Sequence, residues 1–236
     1  MLAHTRSAPD RAVALASYRA LAGGYDESCR WLDRIRIAAL DLLALRPGDT
    51  VFDVACGTGS MLPALARAVG ADGHVLGIEQ SPEMAAAASR RIEEAGLENV
   101  ELIVSPVEEA STGRVADALL FCYTHDVLQS DRAIERLLEC SRPGARVVVA
   151  GARILGWWAA PLNLWKLWRS RHYLTTYRGL RAPWARLAAH CPDLHLHRTY
   201  ILGTSYLAVG HLRGRCKAPG AGPTKAATES PAPVDG

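Results

Sequence analysis

Apolar and polar residues follow two periods along this chain, one helical and one extended. Near the N-terminus, apolar residues recur at three- and four-residue spacing, which predicts a first helix over 13–21 and a second over 28–45. Arg46-Pro47-Gly48 should end the second helix, and short apolar runs then alternate with helical stretches. The predicted strands are 50–55, 74–79, 100–104, 116–122, 146–150, 194–202 and 205–212.

This alternation predicts the fold class. It is typical of α/β proteins with right-handed crossovers, a mainly parallel sheet and helices on both faces. We expect a doubly wound, mostly parallel, seven-stranded Rossmann-like sheet with N-terminal helices and an antiparallel edge hairpin joined at Gly203. The predicted division is an N-terminal helical cap over 1–46, one domain over 47–213 with a lid insertion at about 151–192, and a disordered tail over 214–236.

Composition and charge narrow the class of protein. The 236 residues are 49% hydrophobic and 22% charged with a net charge of +3, which predicts a globular chain and gives no argument for nucleic acid. The six cysteines form no C-x-x-C pair, so neither a disulfide scaffold nor a metal site is expected. The start of the chain lacks the apolar core of a signal peptide, and no run of 18 apolar residues occurs, so we expect a cytoplasmic location.

A glycine-containing turn is the clearest candidate for ligand binding. An apolar run containing Asp53 is followed by Gly57 and Gly59 and then by a helical stretch. Glycine lets a ligand approach the main chain, so the pattern predicts a strand, a tight turn and a helix N-terminus facing a ligand. Glu79 ends the next predicted strand, where a carboxylate can accept hydrogen bonds from a ribose diol. Leu62 breaks the three-glycine dinucleotide pattern, which argues against a nicotinamide or flavin cofactor. The alternative interpretation is a tight strand-to-helix turn that binds no ligand.

The same segment resembles the first motif of the class I S-adenosylmethionine-dependent methyltransferases, D-x-A/G-C-G-T-G. The match has no gap and covers Asp53, Ala55, Cys56, Gly57, Thr58 and Gly59. The resemblance implies that Asp53 and the backbone of 55–59 hold the methionine part of S-adenosylmethionine, while Glu79 takes the ribose hydroxyls. Gln80 and Met84 would flank the adenine, and plain core packing is the alternative for Met84.

The segment after the third predicted strand departs from the family pattern. It reads Ser105-Pro106-Val107-Glu108, where the family commonly has Gly-Asp-Ala-Glu. Pro106 therefore replaces the aspartate that would accept a hydrogen bond from the adenine amino group, and proline has no donor of its own. The Val107 amide would then face the ring, and stacking and the main chain alone would hold the adenine. The alternative is that Glu108 takes the place of the missing aspartate.

Two residues are candidates for the catalytic side. Tyr25, in Gly23-Gly24-Tyr25-Asp26, resembles the tyrosine of ubiquinone/menaquinone- and lipid-methyltransferases that closes over the cofactor, and packing between the first two helices is the alternative. His125 follows the fourth predicted strand, a segment that borders the transferred methyl in this family. It is a candidate general base because the unperturbed pKa of histidine is ~6.5, and a capping or packing role is the alternative.

The predicted lid, 151–192, has an unusual composition. It holds five of the six tryptophans, seven lysines and arginines, and no acidic residue. A helix would place Trp158, Trp165 and Trp168 on one stripe. The predicted acceptor contacts are Trp157, Trp158, Trp165 and Arg169. Four interpretations stay open: a pocket for a large apolar molecule with an anionic group, a membrane surface, hydrophobic core, and single-stranded nucleic acid.

The resemblance implies an enzyme that moves the activated methyl of S-adenosylmethionine to an O or N atom of an apolar small molecule, such as a secondary metabolite or a quinone. One alternative is a peripheral membrane enzyme that methylates a phospholipid amine. Another is an RNA-associated protein that keeps the cofactor fold as a binding module. The expected partner is the small-molecule acceptor; membrane-surface contact stays open, and no nucleic acid is expected.

Overall fold

The computed structural model describes residues 9–21, 24–170 and 174–213. The predicted tail, 214–236, and Gly23 lie outside the described residues. The strands are β1 (Thr50–Val54), β2 (His74–Glu79), β3 (Val100–Val104), β4 (Ala116–Cys122), β5 (Ser141–Ala152), β6 (His195–Tyr200) and β7 (Ser205–His211). The helices are α1 (Arg11–Leu21), α2 (Tyr25–Cys29), α3 (Asp33–Leu43), α4 (Leu62–Val69), α5 (Pro82–Glu94), α6 (His125–Leu128), α7 (Asp131–Glu139), α8 (Ala160–Ser170) and α9 (Ala185–Ala188).

The strands form one sheet in the order β3-β2-β1-β4-β5-β7-β6. The first five strands pair in parallel, and β7 is antiparallel to both β5 and β6. The predicted fold class, a doubly wound and mostly parallel sheet with an antiparallel edge hairpin, is therefore confirmed. Because β1 and β2 are parallel neighbours, the residues that follow them lie at the same edge of the sheet.

Two hydrophobic clusters cover the two faces of the sheet. Side chains alternate along a strand, so Phe52 belongs to one cluster and Val51 to the other. The Phe52 cluster includes Ile134 and Leu137 of α7, and the Val51 cluster includes Leu65 of α4 together with residues of α3. This double cover holds the carboxyl edge of the parallel strands in place.

Some predicted boundaries are wrong. The helix expected over 28–45 is divided into α2, a 3₁₀ turn at Arg30–Leu32, and α3. One 3₁₀ turn shifts the apolar face only slightly, so periodicity did not reveal the break. Strand β5 begins at Ser141 rather than at 146, because the chain pairs with β4 across an irregularity at Ala116/Ala118.

The predicted lid connects β5 to β6. Its regular elements are a 3₁₀ turn at Trp157–Ala159 and the helices α8 and α9. In the part of the chain that the structure describes, no helix combines the length and apolar character needed to cross a membrane.

Candidate active site

The turn after β1 has a left-handed backbone at several positions. Ala55, Gly57 and Gly59 have φ angles of 55°, 60° and 70°. At Gly59 a Cβ atom would lie 2.7 Å from the Leu62 side chain and 3.0 Å from Ala88 of α5, so any other residue would crowd these neighbours as well as adopt a strained φ. At Gly57 a Cβ atom would meet nothing within 4 Å, so the main chain borders open space. Left-handed angles are sterically costly for a residue such as Ala55, and such positions cluster at ligand sites.

The carboxylate of Glu79 joins this turn to the end of β2. The Gly57 N–H donates to Oε2 at 2.8 Å, and the Ser81 N–H donates to Oε1 at 2.7 Å. Burial raises the pKa of Glu79, and the amides of Ser81 and Gly57 oppose that rise. A carboxylate has about four acceptor positions, so both oxygens keep capacity for hydroxyl groups of a ligand.

A cleft opens in front of the turn, and we call it the turn cleft. Five of the predicted cofactor residues line it, namely Ala55, Gly57, Glu79, Gln80 and Met84. The side chain of Met84 is also almost fully buried, so this residue serves both the cleft and the core. The turn cleft continues into a wider cavity of about 470 Å³, which Pro106 and Val107 line together with Ala55 and Gln80. Glu108, the predicted substitute for an adenine acceptor, lines this wider cavity and accepts from the Ser130 hydroxyl at 2.5 Å.

The other predicted cofactor residues, Asp53, Cys56, Thr58 and Gly59, do not line the cleft. Asp53 is 2% exposed, and its Oδ2 atom has no hydrogen-bond partner among the described residues. Burial raises the pKa of Asp53 to about 7; Arg36 counteracts this rise and Glu79 adds to it. Burial also raises the pKa of the Cys56 thiol, which makes a reactive thiolate unfavourable. These four residues therefore contribute to the structure of the turn without bordering the cleft.

Thr58 belongs to a polar network that sequence reasoning missed. Its hydroxyl donates to Asp26 Oδ1 at 2.5 Å. Arg91 of α5 donates to Asp26 Oδ2 at 2.5 Å and to the Thr58 carbonyl at 2.6 Å. The network fastens α2 to the glycine turn and so positions Tyr25, which precedes Asp26. The Tyr25-Asp26 pair in the sequence was the available signal, but nothing in it identified Arg91.

A second cavity, which we call the inner cavity, adjoins the turn cleft and has a volume of about 350 Å³. Five residues line both spaces: Tyr18, Tyr25, Tyr123, Thr124 and His125. The remaining wall is largely apolar and includes Trp31, Leu32, Leu128, Trp168, Leu174, Pro183 and Tyr206. A volume of this size suits a small organic ligand. Tyr25 also contacts Tyr18 edge to face, with the ring centroids 6.4 Å apart.

His125 is held as a neutral imidazole at the junction of the two spaces. Its Nε2 atom is 3.0 Å from the carbonyl oxygen of Arg178. A carbonyl can only accept, so Nε2 carries the hydrogen and Nδ1 has the free lone pair. Among the described residues, the buried Nδ1 atom has no hydrogen-bond partner. Burial lowers the pKa of His125 to about 4, and the Arg178 carbonyl opposes this.

Other buried polar atoms near His125 also lack partners within the described ranges. They include Thr124 Oγ1, Asp126 Oδ1 and Tyr206 OH. The second oxygen of Asp126 accepts from the Thr175 hydroxyl at 2.6 Å, and burial raises the pKa of this carboxyl. Buried polar groups are normally satisfied, so a cluster of unsatisfied ones beside two cavities indicates where a ligand or water binds.

The predicted acceptor tryptophans lie elsewhere. Trp157, Trp158 and Trp165 are 85%, 69% and 46% exposed and do not line the inner cavity, whereas Trp31 and Trp168 do. Helix α8 turns Trp165 towards solvent, and Trp157 and Trp158 belong to the 3₁₀ turn that precedes this helix. Arg169 lies in the same helix, but its side chain is outside the described part of the structure.

The inner face of α8 carries Lys166, which sequence reasoning missed as a site residue. Lys166 is 5% exposed and lines the inner cavity. Asn163, Lys166 and Ser170 recur at spacings of three and four residues, a helical period that was present in the sequence. The tryptophans were the stronger signal in the sequence, so the predicted acceptor contacts were Trp157, Trp158 and Trp165 rather than Lys166.

Comparisons with known proteins agree with this geometry. A family profile described as a methyltransferase domain matches residues 45–174, more than half of the chain. A demethylmenaquinone methyltransferase of Bacillus mycoides is 30% identical over 118 residues, which are 48% of this chain and 48% of that protein. An arsenite methyltransferase of Halobacterium salinarum is 31% identical over 112 residues, which are 45% of this chain and 28% of that protein. The matches thus span about half or less of these curated relatives.

Solved structures support the fold. A SAM-dependent methyltransferase from Aquifex aeolicus superposes with a TM-score of 0.52 at 20% identity, covering 75% of this chain and 89% of that one. At this identity the similarity concerns the fold alone. The glycine turn and Glu79 line one cleft, and the family profile covers both. The chain therefore belongs to the methyltransferase-domain family, with the class I S-adenosylmethionine-dependent fold.

Proposed function

We propose that this protein transfers the methyl group of S-adenosylmethionine to an oxygen or nitrogen atom of an apolar small molecule. The observation that supports this best is the junction of the two spaces, where Tyr25, Tyr123 and His125 line both the turn cleft and the inner cavity. A cofactor in the cleft and an acceptor in the cavity would meet there. Alignment of two reactants can supply on the order of 7–11 kcal/mol of a reaction barrier.

The turn cleft has the chemistry that this cofactor needs. In the proposed arrangement Glu79 accepts from the ribose hydroxyls, Gln80 and Met84 flank the adenine, and the Val107 backbone faces its edge. Glu79 and Asp126 line the cleft with acidic groups, which favour a ligand with positive sulfonium and ammonium groups. When bound, the cofactor supplies a methyl group that the sulfonium charge has already activated.

His125 and Tyr25 would act on the acceptor side of the junction. The free lone pair on His125 Nδ1 can accept a hydrogen bond from an acceptor hydroxyl and so orient its oxygen. A histidine with a pKa of about 4 stays neutral under physiological conditions, so this lone pair remains unprotonated. Tyr25 forms a wall that both ligands would contact, and the Asp26 network keeps it in place.

Incubation with methyl-labelled S-adenosylmethionine and a small-molecule extract of the source cells tests the proposal. We expect one apolar compound to gain a methyl group, identified by its mass. The variant Ala152→Phe should abolish this labelling yet bind the cofactor normally, because Ala152 lines the inner cavity and not the turn cleft. Labelling that is unchanged in Ala152→Phe would remove the inner cavity from the proposal.

A second candidate, a peripheral enzyme at a membrane surface, is favoured by the exposed face of the lid. Trp157, Trp158, Trp168 and Leu202 are between 62% and 85% exposed. The turn containing Leu202 lies close to the start of the lid, since a Cβ atom on Gly203 would lie 3.5 Å from Leu155. The segment 151–192 contains no acidic residue, so its cations would complement anionic lipid headgroups.

Flotation with vesicles containing phosphatidylserine tests membrane contact. We expect the wild type to float with the vesicles and the double variant Trp157→Ser/Trp158→Ser to remain in solution. The matched control is Ile37→Ser, which removes an exposed apolar side chain from α3, away from the lid. If the wild type does not float, this candidate is wrong.

A further inference from the structure

We infer that the acceptor carries an anionic oxygen group, either a carboxylate or a phenolate, and that the Lys166 ammonium binds this group inside the inner cavity. The inference rests on the proposed function, because it assigns the acceptor to that cavity. It names the substrate class that the cavity would select.

The position of Lys166 is built into the lid. Asn163, one turn earlier on α8, accepts from the Leu155 N–H at 2.8 Å and donates to the Leu155 carbonyl at 3.0 Å. These hydrogen bonds fix the rotation of α8 relative to the segment that follows β5, and they turn the Lys166 side chain inwards. The ammonium group then lies 3.4 Å from the Ser205 hydroxyl and 5.4 Å from the ring centroid of Trp31.

This orientation reverses the usual pattern of a surface helix. Helix α8 exposes Leu164, Trp165 and Trp168 and buries Lys166. Burying an ammonium group costs free energy unless compensating groups surround it, and lysines are almost never fully buried without such groups. A cation–π contact with Trp31 supplies part of the compensation. The arrangement therefore places the Lys166 amino group at an apolar cavity wall, beside the Ser205 hydroxyl and the Trp31 ring.

The charge of the inner cavity is opposite to that of the turn cleft. The turn cleft is lined by Glu79 and Asp126, whereas none of the described residues that line the inner cavity is acidic. An anionic oxygen entering the inner cavity would meet a Lys166 ammonium in a medium of low polarity, where a charge-assisted hydrogen bond is strong. An ammonium-bearing acceptor would meet repulsion instead, which disfavours a phospholipid amine.

Probe binding tests the inference without knowledge of the natural acceptor. Quenching of the fluorescence of Trp31 and Trp168 would report the binding of 2-naphthoate and of its neutral analogue 2-naphthamide. A second comparison tests a phenolate: it measures the binding of 4-nitrophenol at a pH above its pKa and the binding of the neutral 4-nitroanisole. The variant Lys166→Met removes the charge at similar length, and Lys166→Arg keeps the charge. The matched control Arg181→Met removes an exposed lid cation that does not line the cavity.

We expect the wild type to bind one of the two anions at least about tenfold more tightly than its neutral partner, as one charge-assisted hydrogen bond predicts. The comparison that shows the preference identifies the group as carboxylate or phenolate. Lys166→Met should lose the preference, while Lys166→Arg and Arg181→Met should retain it. No anion preference in the wild type, or an undiminished one in Lys166→Met, would overturn the inference even if one variant fails to fold. Calorimetry with S-adenosylmethionine on the same samples separates the two proposals, because failure of the proposed function would show as absent cofactor binding.

Discussion

Replacing Glu79 by glutamine tests the turn cleft with a minimal change in shape. The carboxylate accepts from the Gly57 and Ser81 amides at 2.8 Å and 2.7 Å. In Glu79→Gln one of these acceptors becomes an NH₂ group, which cannot accept from the amide that faces it. The side chain also loses the charge that would attract the ribose hydroxyls and the cationic cofactor.

The expected magnitudes follow from these hydrogen bonds. A hydrogen bond to a charged group contributes about 1.5–3 kcal/mol, so loss of one ribose contact should raise the Kd for S-adenosylmethionine about tenfold to a hundredfold. The free energy of unfolding without cofactor should fall by about 1–2 kcal/mol, for the amide left without an acceptor. For the free energy of unfolding, the lower part of this range is expected. Burial raises the pKa of Glu79, so desolvation already offsets part of the gain from its charge.

Isothermal titration calorimetry with S-adenosylmethionine measures the first quantity, and urea unfolding measures the second. The control is Glu93→Gln, which makes the same chemical change at an exposed position of α5. It should leave both quantities unchanged. If Glu79→Gln is folded and binds the cofactor within about twofold of the wild type, the assignment of Glu79 to the ribose is wrong.

Three further predictions concern the surroundings of the two cavities. Burial raises the pKa of Asp53 to about 7, so the neutral carboxyl is the form that favours folding; relative to Asp53→Asn, wild-type stability should fall by on the order of 4 kcal/mol as the pH rises from about 4 through 7. Urea unfolding of both proteins across this pH range measures the difference, and free energies of unfolding that change with pH in the same way in both would contradict the prediction. Because burial lowers the pKa of His125 to about 4, the rate with the identified acceptor should show no inflection near the usual histidine pKa of ~6.5, and His125→Gln should lower kcat by about a hundredfold; an inflection that disappears in His125→Gln would disprove the neutral state. Asp26→Asn breaks a partly exposed ion pair with Arg91 and should weaken cofactor binding about twofold to fivefold, as calorimetry can show; unchanged binding would mean that the network does not position the site.

The sequence predicted the sheet and the glycine turn well because both depend on local patterns. Strand periodicity around Phe52 and the glycines at 57 and 59 each have a direct backbone cause. Placing Glu79 next to that turn required only that consecutive strands pair in parallel, as β1 and β2 do. The turn cleft, which is the proposed cofactor side of the site, was therefore largely predictable.

The inner cavity, which is the proposed acceptor side, was not predictable from the same patterns. The inner cavity gathers residues from distant parts of the chain, such as Trp31, Tyr123 and Lys166. Which face of α8 points inwards depends on the Asn163 hydrogen bonds to Leu155, which hydrophobic periodicity does not reveal. The sequence predicted that the tryptophan stripe contacts the acceptor, whereas the structure exposes Trp165 and places Lys166 and Trp168 at the inner cavity.

A structure determined with S-adenosylhomocysteine bound is the most direct test of the central claim that cofactor and acceptor sites meet. We predict the ribose hydroxyls at Glu79 and the sulfur at the junction formed by Tyr25, Tyr123 and His125, pointing towards the inner cavity. A nucleoside that binds away from Glu79, or a sulfur separated from the inner cavity by closed protein, would contradict the account.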